Sequence, residues 1–180
     1  MAVVAAPPIP VRMAFDVGTV NFACVVAQVL PKGAIRIIDW RKADIRAPKA
    51  KNNPLKFHQT MASLYLVLNS LNHHKPGEVR IEKQILDRHF LIEIAGSIGM
   101  WGYQQGAYVK LSHMRCVWKK LHIKGKRDEQ GRLVYDKTKQ HSFQPLEEME
   151  DQKKLFFQNA TLREEVLNSP DLRDCVLHLL

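Results

Sequence analysis

Four carboxylates stand where their surroundings make an uncompensated charge expensive. Asp16 interrupts an apolar stretch, Met-Ala-Phe-Asp-Val-Gly-Thr-Val-Asn-Phe-Ala-Cys-Val-Val over residues 13–26, and is the only charge in it. Glu82 ends the alternating run Val79-Arg80-Ile81-Glu82. Asp171 and Asp174 open the final segment, Pro170-Asp171-Leu172-Arg173-Asp174-Cys175-Val176-Leu177. An ionised carboxylate bound for a core is costly unless a cation or several donors compensate it. Taken alone, Asp16 reads equally well as a turn residue capping its own backbone. Taken together, the four acids are hard oxygen donors of the kind that holds Mg²⁺ or Mn²⁺. Two such ions suit in-line attack on a phosphodiester.

The elements that position these acids follow from periodicity. Ala14, Phe15 and Val17, then Ala23, Cys24, Val25 and Val26, predict two buried strands joined by a tight Gly18-Thr19 bend. Residues 35–40 alternate as a third antiparallel strand, and residues 41–56, with six basic side chains against Asp44, predict an exposed basic loop. Apolar residues at 61, 64, 65, 68 and 71 mark one face of a helix over 58–71. His73 and His74 suggest a metal, but adjacent histidines on a helix diverge, so capping of the helix end is preferred. Residues 79–84 form a fourth strand and 107–112 a fifth. Between them an apolar helix over 85–105 carries Gly96, Gly99 and Gly102, which suggest close packing on the sheet. Residues 146–168 predict one helix, and Ser169 and Pro170 suit the N-cap and first position of the last. Three residues apart, Asp171 and Asp174 share a face of that helix. The class is α/β: a five-stranded mixed sheet, three antiparallel strands then a parallel continuation, flanked by helices. Sites in such sheets lie at the carboxyl ends of strands, where Asp16 and Glu82 fall.

Composition narrows the partner. With 180 residues, the chain is expected to be one domain over 12–180 behind a flexible leader at 1–11. A net charge of +9 points to a polyanion. Residues 115–139 hold nine Lys or Arg against three acids, with Trp118, His122 and Tyr135 interleaved, and predict a basic insertion for phosphate contacts. Its candidates are Lys119, Lys120, Lys124, Lys126 and Arg127. No run approaches the roughly 20 apolar residues of a membrane span. Three cysteines without a Cys-x-x-Cys argue against disulfides and structural zinc, for an intracellular protein without a targeting segment. No small-molecule cofactor is expected.

The three acidic motifs in order resemble the RuvC-like branch of the ribonuclease H superfamily, most closely the Holliday junction resolvases of poxviruses, other large DNA viruses and fungal mitochondria. Asp16, Gly18 and Asn21 match that family's Asp-x-Gly-x-x-Asn, Glu82 and Gln84 its Glu and following Gln, Arg88 its downstream basic residue, and Asp171 and Asp174 its final Asp pair. The resemblance implies a ribonuclease H-like fold and a crossover junction endonuclease with two Mg²⁺ or Mn²⁺ ions on the four acids. It also implies DNA contacts from Gln84 and Arg88, and a homodimer acting on four-way junctions, at a viral replication site if the chain is viral. The chain departs from the pattern at Ser169-Pro170, where relatives often carry lysines. Other classes are a catalytically inactive binding module of this fold, another ribonuclease H-like nuclease, and an actin-like ATPase suggested by Asp-x-Gly-Thr. For the ATPase, 180 residues leave no room for a second phosphate-binding lobe. The apolar content of the 85–105 helix (Phe90, Leu91, Ile94, Ile98, Met100, Trp101) suggests the dimer surface, against burial of all of it in the monomer.

Overall fold

Along the first strands apolar side chains alternate between two cores, so the sheet must be covered on both faces. The computed structural model describes residues 9–48, 55–84, 88–113, 116–117, 129–130 and 143–180. Most of the 1–11 leader and nearly all of the 115–139 insertion lie outside them, including Lys119, Lys120, Lys124, Lys126 and Arg127. β1 (Val11–Asp16), β2 (Phe22–Val29) and β3 (Ile35–Ala43) form the expected antiparallel meander. β4 (Glu78–Glu82) pairs in parallel with β1, and β5 (Tyr108–Ser112) in parallel with β4. Met13, Phe15, Phe22, Cys24, Val26, Val79 and Ile81 face one core, shared with α1 (Lys56–Ser70) and α2 (His89–Gln104). Ala14, Ala23, Val25, Ala27, Ile35 and Ile37 face the other, shared with α3 (Phe143–Asp151), α4 (Ala160–Asn168) and α5 (Pro170–Leu179).

The sheet has six strands in the order β5-β4-β1-β2-β3-β6, not five. The single helix expected over 146–168 is interrupted. The chain leaves α3 at Asp151, turns through Lys153 at φ 56, and lays β6 (Leu155–Phe157) parallel to Ile35–Ile37. The Asn159 side chain then accepts from Leu162 N at 2.8 Å and starts a new helix. Leu155-Phe156-Phe157 fits a pleated edge better than a helix face, and β3 offers unpaired backbone groups there.

Three other expectations change. β3 runs on to Ala43, so Arg41 and Lys42 are sheet residues, and beyond the strand Ile45 and Ala47 are buried. Tyr65 is exposed on α1. His73 and His74 do not cap that helix; they sit past its end in a 3-10 turn, with His74 Nε2 at 2.8 Å from Asp39 Oδ2.

α2 rests on β4 and β5 through Gly102, where a Cβ would lie 3.1 Å from Val79 and 3.2 Å from Val109. Gly99 faces the same strands, whereas nothing lies within 4 Å of a Cβ at Gly96. Most of the helix's apolar surplus belongs to the monomer core. Ile94, Ile98 and Trp101 are buried, Phe90 and Leu91 pack against them, and only Met100 of the six is exposed.

α5 is pinned at its C-terminus by charge. Arg12 Nη1 donates to Leu179 O at 2.9 Å and Arg80 Nη1 to His178 O at 2.8 Å, meeting two of the carbonyls that a helix end leaves unpaired. Glu78 accepts from both guanidinium groups at 2.6 Å. Burial pushes the Glu78 pKa up, but the bonds and charges of Arg80 and Arg12 outweigh it and hold the carboxyl below its ordinary 4.5. A depressed folded-state pKa contributes stability above the unfolded value that is lost as pH falls through the folded one. Urea midpoints are therefore expected to drop as pH falls below 4.5, and to drop less in Glu78→Gln. Equal slopes for the two proteins would show that this clamp does not titrate with folding.

Candidate acidic site

Strand pairing and one helix assemble the acids. Asp16 and Glu82 are the last residues of β1 and β4, each following the paired residues Phe15 and Ile81 of two parallel neighbours. Side chains alternate along strands, and Phe15 and Ile81 face the α1–α2 core. Asp16 and Glu82 therefore face α5 together. Register adds a third strand: Asp16 pairs with Ala23 and Ala23 with Lys42, so all three share the α5 face in one row across the sheet. The small side chain of Ala23 leaves room above it for the start of α5. Asp171 lies in that first turn and Asp174 one turn further on.

Burial grades the four. Asp174 is 1% exposed with both carboxylate oxygens inside, Asp16 is 9% exposed, and Glu82 and Asp171 are half-buried. Asp16 and Asp174 converge on Cys175, a fully buried residue of α5. Burial first, then the Asp16 carboxylate, with Asp174 contributing, pushes its thiol well above the ordinary value, and Asp16 also reaches it through a backbone hydrogen bond. Arg173 sits between the helical acids and donates to Leu167 O. Burial lowers its pKa against the opposing pull of Asp174 and Asp171. Gln84 Nε2 donates to Glu82 O and to Glu82 Oε2, each at 3.2 Å, and so orients that carboxylate instead of facing away from it. Arg88 is exposed at the start of α2.

Lys42 is the residue that the sequence reading missed. Its Nζ lies 2.9 Å from Asp171 Oδ2 and 3.3 Å from Ser169 Oγ, bringing a cation to the acids from the far side of the row. Assigning residues 41–56 to a loop hid it, and simple alternation from Ile35 and Ile37 would have put it on the other face; the irregularity between Ile37 and Asp39 turns Lys42 to the face of Asp16.

Hard oxygen donors, two of them nearly withdrawn from water, fit a hard divalent cation such as Mg²⁺. The donors are not drawn into one tight cluster. Among the described residues, the one group of three or more whose ligand atoms all lie within 4.8 Å of one another is Asp39, His73 and His74.

No family profile matches the sequence. No curated protein matches it either. Solved structures do match in fold. The yeast mitochondrial Holliday junction resolvase Ydc2 is similar over 96% of this chain and 77% of its own, at a TM-score of 0.65 and 13% identity. RuvC of Thermus thermophilus is similar over 94% of this chain and 90% of its own, at 0.61 and 15%. Fowlpox virus resolvase, solved with Holliday junction DNA, is similar over 94% of both chains, at 0.57 and 17%. At these identities the likeness is one of fold: the chain has the RuvC-like, ribonuclease H-type architecture of these resolvases.

Proposed function

We propose that this chain is a metal-dependent endonuclease that resolves four-way DNA junctions. The observation that carries the reading is the convergence of Asp16, Glu82, Asp171 and Asp174 on one face, at the carboxyl ends of β1 and β4, in a fold shared with junction resolvases. In this reading the four acids hold two Mg²⁺ or Mn²⁺ ions. When bound, such ions supply Lewis-acid activation of water and stabilisation of the departing 3′ oxygen. The remaining work falls to the protein. Gln84 keeps the Glu82 carboxylate turned into the site, and the Arg12–Glu78–Arg80 clamp fixes α5 so that its acids stay over β1. Arg88 and the lysines and arginine at 119, 120, 124, 126 and 127 supply charge for the phosphate backbone.

Two nicks in strands of like polarity require two sites, and one chain has one set of acids. A homodimer would match the two-fold symmetry of the junction. The test is incubation with a mobile four-way junction, a fork and linear duplex, with and without Mg²⁺, alongside light scattering of the junction complex. Paired, Mg²⁺-dependent nicks in the junction and a two-chain mass are expected. Equal cutting of linear duplex would overturn junction selectivity, and a monomer on the junction would overturn the dimer.

Lys42 takes a role here. It occupies the position beside Ser169 where the resemblance expects a lysine in the preceding sequence, but reaches it from β3. Held on Asp171, it offsets that acid's charge and is placed to donate to a substrate phosphate. A hydrogen bond to a charged group contributes about 1.5–3 kcal/mol. Lys42→Ala is therefore expected to slow single-turnover cutting by about ten- to a hundredfold, with Lys42→Arg retaining most of the rate. Wild-type rates in Lys42→Ala would remove it from the site.

A further inference from the structure

On the opposite face of the sheet from the acids lies a second group of ligand atoms. Asp39 pairs with Val26, whose side chain is in the α1–α2 core, so Asp39 points away from α5. Beneath α1, the 3-10 turn Asn72–His74 brings two histidines up to it. His74 Nε2 is 2.8 Å from Asp39 Oδ2, and the His73 and His74 rings lie 3.8 Å apart at an interplanar angle of 39°. One ligand atom from each of the three lies within 4.8 Å of the others. Adjacent histidines on a regular helix diverge, but these two, past the helix end, lie side by side.

We propose that Asp39, His73 and His74 form a binding site for a borderline transition-metal ion, Zn²⁺ or Co²⁺ in chemistry, separate from the acidic site. Two imidazoles and a carboxylate select such ions over Mg²⁺, which prefers oxygen. The carboxylate is prepared for one bond. Asp39 Oδ1 accepts from Trp40 N at 2.8 Å and from Arg41 Nη1, which leaves Oδ2 facing the histidines. Ligating carboxylates are commonly held by such outer donors. The turn is anchored as well, by buried Leu71 and by Trp101 Nε1, which donates to Asn72 Oδ1 at 2.9 Å. Metal–ligand bonds of about 2.0–2.2 Å place tetrahedral donors about 3.4 Å apart. The His74–Asp39 contact must therefore open slightly, and exposed His73 must swing in. Water completes the coordination. Bound metal would tie the middle of β3 to the turn that leads into β4.

The test is a Co²⁺ titration of the full chain, stripped with EDTA and held in excess Mg²⁺, read by visible d–d absorption and by displacement with Zn²⁺. One equivalent is expected. His74→Ala and His73→Ala should each weaken Co²⁺ binding about tenfold or more, as loss of a ligand does. Exposed His73 makes the second variant safe for folding, and Zn²⁺ should raise the melting temperature of wild type more than that of His73→Ala. Asp16→Asn should bind Co²⁺ like wild type. Absence of a band, a band unchanged in both histidine variants, or a band lost in Asp16→Asn would each overturn the proposal.

Discussion

Asp16→Asn is expected to abolish junction cutting while leaving junction binding intact or tighter. The side chain lies at the β1 end of the row formed with Ala23 and Lys42, is 9% exposed, and adjoins Cys175 under α5. Asparagine fills the same volume but brings a neutral amide to a place where the proposed chemistry requires anionic oxygen. The divalent ions of such a site supply several kcal/mol of transition-state stabilisation, and each 1.36 kcal/mol is tenfold in rate. Loss of one ligand therefore predicts a fall of roughly a thousandfold or more in single-turnover rate. Binding moves the other way, because a negative charge facing phosphate is gone. A variant that cuts at near wild-type rate would remove Asp16 from the chemistry, and one that loses binding along with cutting would make Asp16 a folding residue.

Asp174→Asn should separate function from stability. Its carboxylate is 1% exposed, and both it and Asp16 raise the pKa of the same buried thiol, so two like charges act on one buried group. Neutralising Asp174 relieves repulsion and desolvation, against the loss of its attraction to Arg173. In EDTA the variant is expected to be more stable than wild type by about 0.5–2 kcal/mol, the range common for a single stabilising substitution. It should also cut at a small fraction of the wild-type rate. Mg²⁺ should raise the wild-type melting temperature and move that of Asp174→Asn much less. Urea midpoints in EDTA read the first effect, and a variant less stable than wild type would mean that the charge is already compensated within the protein.

The sequence by itself determined the strands that carry Asp16 and Glu82, because alternation and apolar runs depend on local pattern alone. It also determined that Asp171 and Asp174 share one face of a helix opened by Pro170, since spacing on a helix is fixed by its pitch. From the order of elements followed the three-antiparallel, then parallel sheet that the structure bears out, and from the motifs the resemblance. Tertiary structure decided what depends on partners distant in sequence. Leu155–Phe157 became a strand because the free edge of β3 was there to pair with it. The last helix is buried nearly all round, from Leu172 to Leu179, because α4 and α3 cover the side that the sheet does not. Ser169, a natural cap by type, makes no side-chain cap and instead meets Lys42, from 127 positions away. Asp39 met His74 in the same way, across the α1 connection. Each of these contacts joins elements whose separation the chain does not encode locally. Their geometry exists only once sheet register and helix docking have set it.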